Sequence, residues 1–144
     1  MQPSGDLYEA IAEGQTQRSS YLISEPIYKV FLELFEDTNP LHHDCEYAKA
    51  GGFEQPVMHG AILNGFLSNF VGMEFPGSGS LILSVHINYL KPTFIGDTIE
   101  IEAKVTHKLD SRRVIEMSVA FTSTNREIVV ARAKVNVALI GAQE

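Results

Sequence analysis

GAILNGFLSNFVG, residues 60–72, decides how this chain must fold. Leu63, Phe66, Leu67, Phe70 and Val71 recur at helical spacing and make one continuous apolar face, in a helix that begins after Pro56. The small residues Gly60, Ala61 and Gly65 let other backbone approach closely, and Gly72 with Phe75-Pro76-Gly77 ends the helix. Downstream the period changes. The runs 80–90, 97–107, 112–123 and 127–139 read as strands, most plainly where Ile99, Ile101, Ala103 and Val105 alternate with Glu100, Glu102 and Lys104. Turn residues separate the runs, at Lys91-Pro92, Gly96-Asp97, Leu109-Asp110-Ser111 and Thr124-Asn125-Arg126, and links this short predict an antiparallel meander. A long apolar helix with a large antiparallel sheet is an α+β layout, the curved sheet wrapping around the 60–72 helix.

Upstream, residues 15–23 read as a short strand. Ser24 caps a following helix, with Glu25 and Pro26 in its first turn and Ile27, Val30, Phe31, Leu34 and Phe35 on one face. Asn39-Pro40 is expected to end that helix, because the residue before a proline avoids the helical region. Asp44 caps a short turn of helix through Glu46–Ala50, stopped by Gly51-Gly52, and GSGS at 77–80 reads as a turn.

At 144 residues, 44% hydrophobic and 20% charged, the whole of 1–144 reads as one domain with a packed core. A formal charge of −7 argues against nucleic-acid binding, which depends on neutralising phosphates. No apolar run approaches the roughly 20 residues that span a bilayer, so no membrane association is expected. The opening MQPSGDLYEAIAEG carries no secretory pattern and the closing GAQE no peroxisomal or prenylation signal. The lone Cys45 excludes an internal disulfide and suits a reducing compartment, giving cytoplasmic as the expectation.

FEDTNPLHHD, residues 35–44, holds the candidate chemistry. The proline turn between Asp37 and His42 brings a carboxylate and an imidazole to one side, where they can activate a water and return a proton. The same residues also suit a polar loop in which Asp37 and Asn39 cap turns and His42 is surface polar; Asn39 holds the turn in either case. At His59-Gly60 the free N–H groups of a helix start suit an oxyanion, or else Gly60 serves only tight packing and His59 only caps. His42-His43-Asp44-Cys45 lacks the separated spacing of a metal site, so no metal is expected. His86 and His107 fall in strand patterns and read as structural, and Ser68 lies within the helix but off its main apolar stripe.

Asp37-Thr38-Asn39-Pro40-Leu41-His42 with Ala48, Phe53–Gly60, Phe66-Leu67-Ser68 and Tyr89–Asp97 together resemble the MaoC-like (R)-specific enoyl-CoA hydratases, over about residues 27–139. The resemblance implies a single hotdog domain and a dimer or larger homo-oligomer acting on acyl-CoA or acyl-carrier-protein thioesters without a cofactor. It implies Asp37 and His42 as the catalytic pair, Gly60 as oxyanion donor, and Asn39, Ser68 and His59 as supports. Two positions depart from the family pattern, Glu36 where many members have Gly and His43 where Leu or Val is frequent. The other readings are a hotdog thioesterase, whose carboxylate normally sits on the central helix, and a non-catalytic acyl-thioester binder.

Overall fold

The structure is a computed structural model that describes residues 6–140. The readings made on the first five residues and on 141–144 lie outside that span. The elements are α1 (Leu7–Ala10), β1 (Thr16–Leu22), α2 (Glu25–Phe35), α3 (Pro40–His43), α4 (Cys45–Ala50), α5 (Ile62–Asn69) with a π-helical turn at Phe70–Glu74, β2 (Ser80–Tyr89), β3 (Thr98–Leu109), β4 (Val114–Ser123) and β5 (Ile128–Leu139). No described helix is long and apolar enough to cross a membrane.

One five-stranded antiparallel sheet has the order β1-β3-β4-β5-β2. β3, β4 and β5 form the expected meander, but β2 does not join β3. It pairs with β5 instead, from Ser80↔Leu139 to Tyr89↔Ala131, and β1 takes the free side of β3. The 90–97 link therefore crosses the end of the sheet rather than turning tightly. At its start the Leu90 and Lys91 N–H groups both donate to the Val130 carbonyl, at 2.8 and 3.1 Å. Pro92, which has no N–H to offer a ladder, then takes the chain away.

The concave face carries the predicted alternation. Ile99, Ile101, Ala103 and Val105 are fully buried, as are Ile115, Met117, Phe121, Val135 and Val137 on the next two strands. Against them α5 buries Ile62, Leu63, Phe66 and Leu67. The π-helical turn lets Phe70 and Val71 follow onto the same core, closing with Phe75 N–H to Phe70 O at 2.8 Å. The helix thus starts two residues later than expected and its coil runs past Gly72. Ile62 and Leu63 donate to the His59 and Gly60 carbonyls, which makes residues 59–62 a turn leading into the helix.

α2 begins as read, with the Ser24 hydroxyl accepting from the Ile27 N–H. It stops earlier than Asn39-Pro40. Glu36 adopts a left-handed φ of 53° and closes the helix, and Pro40 instead opens α3, where its missing N–H costs nothing. α4 is capped by the Asp44 carboxylate on the Tyr47 N–H and ended by Gly51 and Gly52, as expected.

The 90–97 link is locked by Arg126. Its guanidinium donates to both oxygens of Asp97, at 2.9 and 2.7 Å, and to the Pro92 carbonyl at 2.9 Å. Asp97 is buried at 2% exposure. Arg126→Ala strands that carboxylate and should cost on the order of 3 kcal/mol in urea unfolding, with the 90–97 amides losing hydrogen-exchange protection first.

Candidate active site

The site is built by sewing two loops together. Residues 57–59 run beside α3, and three hydrogen bonds join them. The Val57 N–H donates to the Leu41 carbonyl at 3.0 Å. His42 Nδ1 lies 2.7 Å from the Val57 carbonyl and His59 Nε2 lies 2.9 Å from the Asp37 carbonyl. A carbonyl only accepts, so each of those ring nitrogens carries the hydrogen. His42 therefore keeps the lone pair on Nε2, and His59 keeps it on Nδ1. His59 is buried, and its Nδ1 meets no donor.

Around this seam the loop is stiff. Asn39 caps α3 through its side-chain oxygen and the Leu41 N–H at 3.1 Å, and Asp37 Oδ1 accepts from the Asn39 N–H at 3.3 Å. The two imidazoles pack against each other at a tilt of 34°, with centroids 4.1 Å apart, and the Phe31 ring packs on His59 at 4.6 Å. The Tyr28 hydroxyl donates to the His42 carbonyl at 2.7 Å. Burial, with the Cys45 thiol beside it, pushes the Tyr28 phenol above its ordinary pKa and keeps it a donor.

Side-chain donor atoms of Asp37, His42 and His59 all lie within 4.8 Å of one another. These three are the residues that could hold a cation; one nitrogen of each ring is already committed to a carbonyl. His43, Asp44 and Cys45 stand apart from this group. His43 reaches the Thr38 carbonyl at 2.6 Å, Asp44 caps α4, and Cys45 is exposed. His42 and His43 are neighbours on the helical turn of α3 and point in different directions from it.

Gly60 lies in the turn before α5. Among the described residues neither its N–H nor that of Ala61 meets a protein acceptor. Tyr89 covers Gly60: a Cβ there would lie 3.4 Å from the Tyr89 ring, whose hydroxyl donates to the Asn64 side chain at 2.5 Å. Two cavities flank the cluster. One, of about 520 Å³, is lined by Asp37, Phe31, Phe35, Ala61, Ile62, Asn64 and Gly65. The other, of about 280 Å³, is lined by His42, Val57, Met58, Gly60, Leu63 and residues 89–93. Ser68 is not brought to this group. It is exposed, about 12 Å along the helix axis from Gly60, and lines neither cavity.

Sequence reasoning did not single out Tyr28, Val57, Tyr89 or Asn64. Val57 acts through its carbonyl, which no side-chain pattern reveals. Tyr28 sits one position off the apolar stripe of α2, the single local hint that its hydroxyl is used.

Comparison with known proteins follows this geometry. A family model described as "MaoC like domain" matches residues 8–127. An (R)-specific enoyl-CoA hydratase of Aeromonas caviae is 35% identical over 98 residues, 68% of this chain and 73% of the relative. Another, of Rhodospirillum rubrum, is 29% identical over 130 residues, 90% of each chain. A solved (R)-hydratase from A. caviae involved in PHA biosynthesis superposes with a TM-score of 0.83 at 27% identity, over 91% of this chain and 98% of that one.

The hydrogen bonds assign the tautomers. Long-range ¹⁵N–¹H spectra at pH 8 should show neutral His42 protonated on Nδ1 and neutral His59 on Nε2. The reverse assignment for either ring would contradict the geometry.

Proposed function

The chain belongs to the MaoC-like domain family, and we propose that it is an (R)-specific enoyl-thioester hydratase in which Asp37 and His42 do the acid/base work. It is a single hotdog domain and a hydro-lyase. It adds water reversibly to trans-2-enoyl thioesters of CoA or acyl carrier protein to give (R)-3-hydroxyacyl thioesters. The observation that supports the site assignment is the closeness of Asp37 and His42, with the Gly60 N–H free of a described protein acceptor in the cavity that His42 also lines.

The thioester carbonyl accepts from the Gly60 N–H. A water sits between the Asp37 carboxylate and His42 Nε2, over C3. As its oxygen bonds to C3, the pair takes one water proton, and the π electrons of C2=C3 shift toward C2 and the thioester oxygen. Negative charge on that oxygen meets the N–H groups that open α5. The pair then returns a proton to C2 on the same face, so one water is added and the side chains end as they began. His59 and Asn39 hold the geometry. Ser68 is kept as a supporting residue that acts once a second subunit completes the site.

That second subunit is part of the proposal. Val30, Leu34 and Phe35 on α2 are 60%, 68% and 62% exposed, and they continue the apolar wall of the Asp37 cavity. The free edge of β2 carries exposed Leu81 and Leu83. A homodimer or larger homo-oligomer covers such surfaces. The exposed free thiol of Cys45 fits a cytoplasmic setting.

Hydrolysis is disfavoured by the central helix, which carries Asn64 and Ser68 but no carboxylate before Glu74. With a crotonyl thioester, the wild type should bleach the enoyl absorbance without releasing thiol and yield the (R) product on chiral analysis. Asp37→Ala and His42→Ala should each lower kcat by about 10²–10⁴ with unchanged circular dichroism. Thiol release would mark a thioesterase, and full activity in either variant would remove the pair from the reaction.

A further inference from the structure

Asp37 lies between two backbone features that act in opposite senses. Before it stands Glu36, with a φ of 53°. That left-handed conformation suits glycine and is disfavoured for a residue with a Cβ. Two other described residues share it, Arg113 at 54° and Glu127 at 56°. Each of those directly precedes a strand, β4 or β5, whose ladder holds it in place. Glu36 has no ladder beside it, so the bonds of its own loop must hold it. After Asp37 stands Thr38, whose carbonyl lies 2.6 Å from His43 Nε2. A carbonyl only accepts, so His43 Nε2 carries the hydrogen and donates.

Two histidines thus hold two successive carbonyls, because the Asp37 carbonyl accepts from His59 Nε2 at 2.9 Å. His59 acts from the buried side and His43 from the exposed side. His43 is anchored by α3, which Asn39 caps and where the Asp44 N–H returns to Pro40 O at 2.8 Å. Its bond back to Thr38 spans that cap and closes residues 38–43 into a ring. Relaxing Glu36 to negative φ turns the chain that follows it, and so pulls Thr38 away from His43. The Asp37 carboxylate offers little resistance of its own, since among the described residues it accepts only from the Asn39 N–H, at 3.3 Å. A hydrogen bond of this kind and a left-handed residue with a Cβ each bias a local equilibrium by roughly five- to tenfold. The bond is therefore large enough to offset the strain.

Building on the hydratase reading, we propose that His43 is a positioning residue, whose bond to Thr38 holds Glu36 left-handed and so keeps the Asp37 carboxylate turned toward His42. His43 does not touch the reacting atoms. It acts through the backbone on either side of Asp37, and what it opposes is the strain stored at Glu36. Positions 36 and 43, at the two ends of one loop, are thereby coupled: removing the strain removes the need for the bond.

The test is a double-mutant cycle between positions 43 and 36, with crotonyl-CoA as substrate. His43→Leu removes the donor and keeps the bulk. It should lower kcat about five- to tenfold, with KM and circular dichroism unchanged. His43→Gln, whose amide donates from a similar place, should stay within about twofold of wild type. Glu36→Gly alone should not lower kcat, and added to His43→Leu it should restore most of the loss. A wild-type rate in His43→Leu, an equal loss in His43→Gln, a loss expressed in KM, or no recovery in the double variant would each overturn the proposal. If wild type turns over no enoyl thioester, the hydratase reading falls, and NMR relaxation of the 36–39 amides judges the brace instead. Those amides should show microsecond-to-millisecond exchange in His43→Leu that is quenched on adding Glu36→Gly. Relaxation unchanged from wild type in His43→Leu would mean that His43 holds nothing.

Discussion

The site depends on what residues 57–59 hold. Within three residues the chain accepts from the His42 ring at Val57 O, donates from Met58 N–H to Thr93 O, and donates from the His59 ring to Asp37 O. One strand of backbone thus fixes the 37–43 loop, the 90–97 link and the entry to α5 at once. Two of these bonds are made by rings that also pack against each other, with centroids 4.1 Å apart. His59 is buried, so its bond to Asp37 O is sheltered from competing water, and losing it would leave a polar ring in an apolar wall. Of the two proposed reacting side chains, His42 shares this load through its Nδ1–H, whereas the Asp37 carboxylate accepts only from the nearby Asn39 N–H among the described residues. Asp37 is exposed and His42 half-buried, free to meet a substrate while their backbones are held.

This division explains what the sequence could and could not reveal. Strand alternation on β3 and the Ser24 and Asp44 caps were legible because they are local: period and cap chemistry lie within a few residues. The pairing of β2 with β5 was not, because a short link between strands argues for adjacency and only the packed helix and the 90–97 crossing decide otherwise. The left-handed turn at Glu36 was hidden for a related reason. Nothing in that residue favours positive φ, and the turn is set by where α3 must begin. At the site, the family resemblance named Asp37, His42, Gly60 and His59, which the structure gathers. It also named Ser68, which lies exposed in a single chain. The Val57 carbonyl was invisible and Tyr28 only hinted at, because the contribution of each is a tertiary hydrogen bond.

The apolar stripe of α2 was read correctly as periodicity, yet it does not describe a buried helix. Ile27 and Phe31 pack on the core, while Val30, Leu34 and Phe35 face outward. A stripe wider than one interface needs implies two contacts. The first is with this chain's own core and the second with whatever covers the Asp37 cavity. On the proposed reading, that second contact is made by substrate and a second subunit. Substrate binding and assembly would then draw on one apolar surface, and a change at Phe35 would act on both.

Placing the carboxylate on a loop rather than on the central helix has a chemical consequence. Hydration and hydrolysis of a thioester can share an oxyanion donor, because both build negative charge on the same oxygen. They differ in which carbon the water reaches. Hydrolysis needs a base beside the carbonyl carbon, as a carboxylate on α5 near Gly60 would be. Hydration needs it displaced by two bonds toward the acyl chain. Asp37 borders the cavity of Phe31, Phe35 and Gly65, whereas Gly60 borders the other. On the proposed reading, with the carbonyl on the Gly60 N–H, the carbon that Asp37 faces is C3 and not C1. On that reading the choice between the two reactions is set by the offset between a loop and the turn that opens a helix.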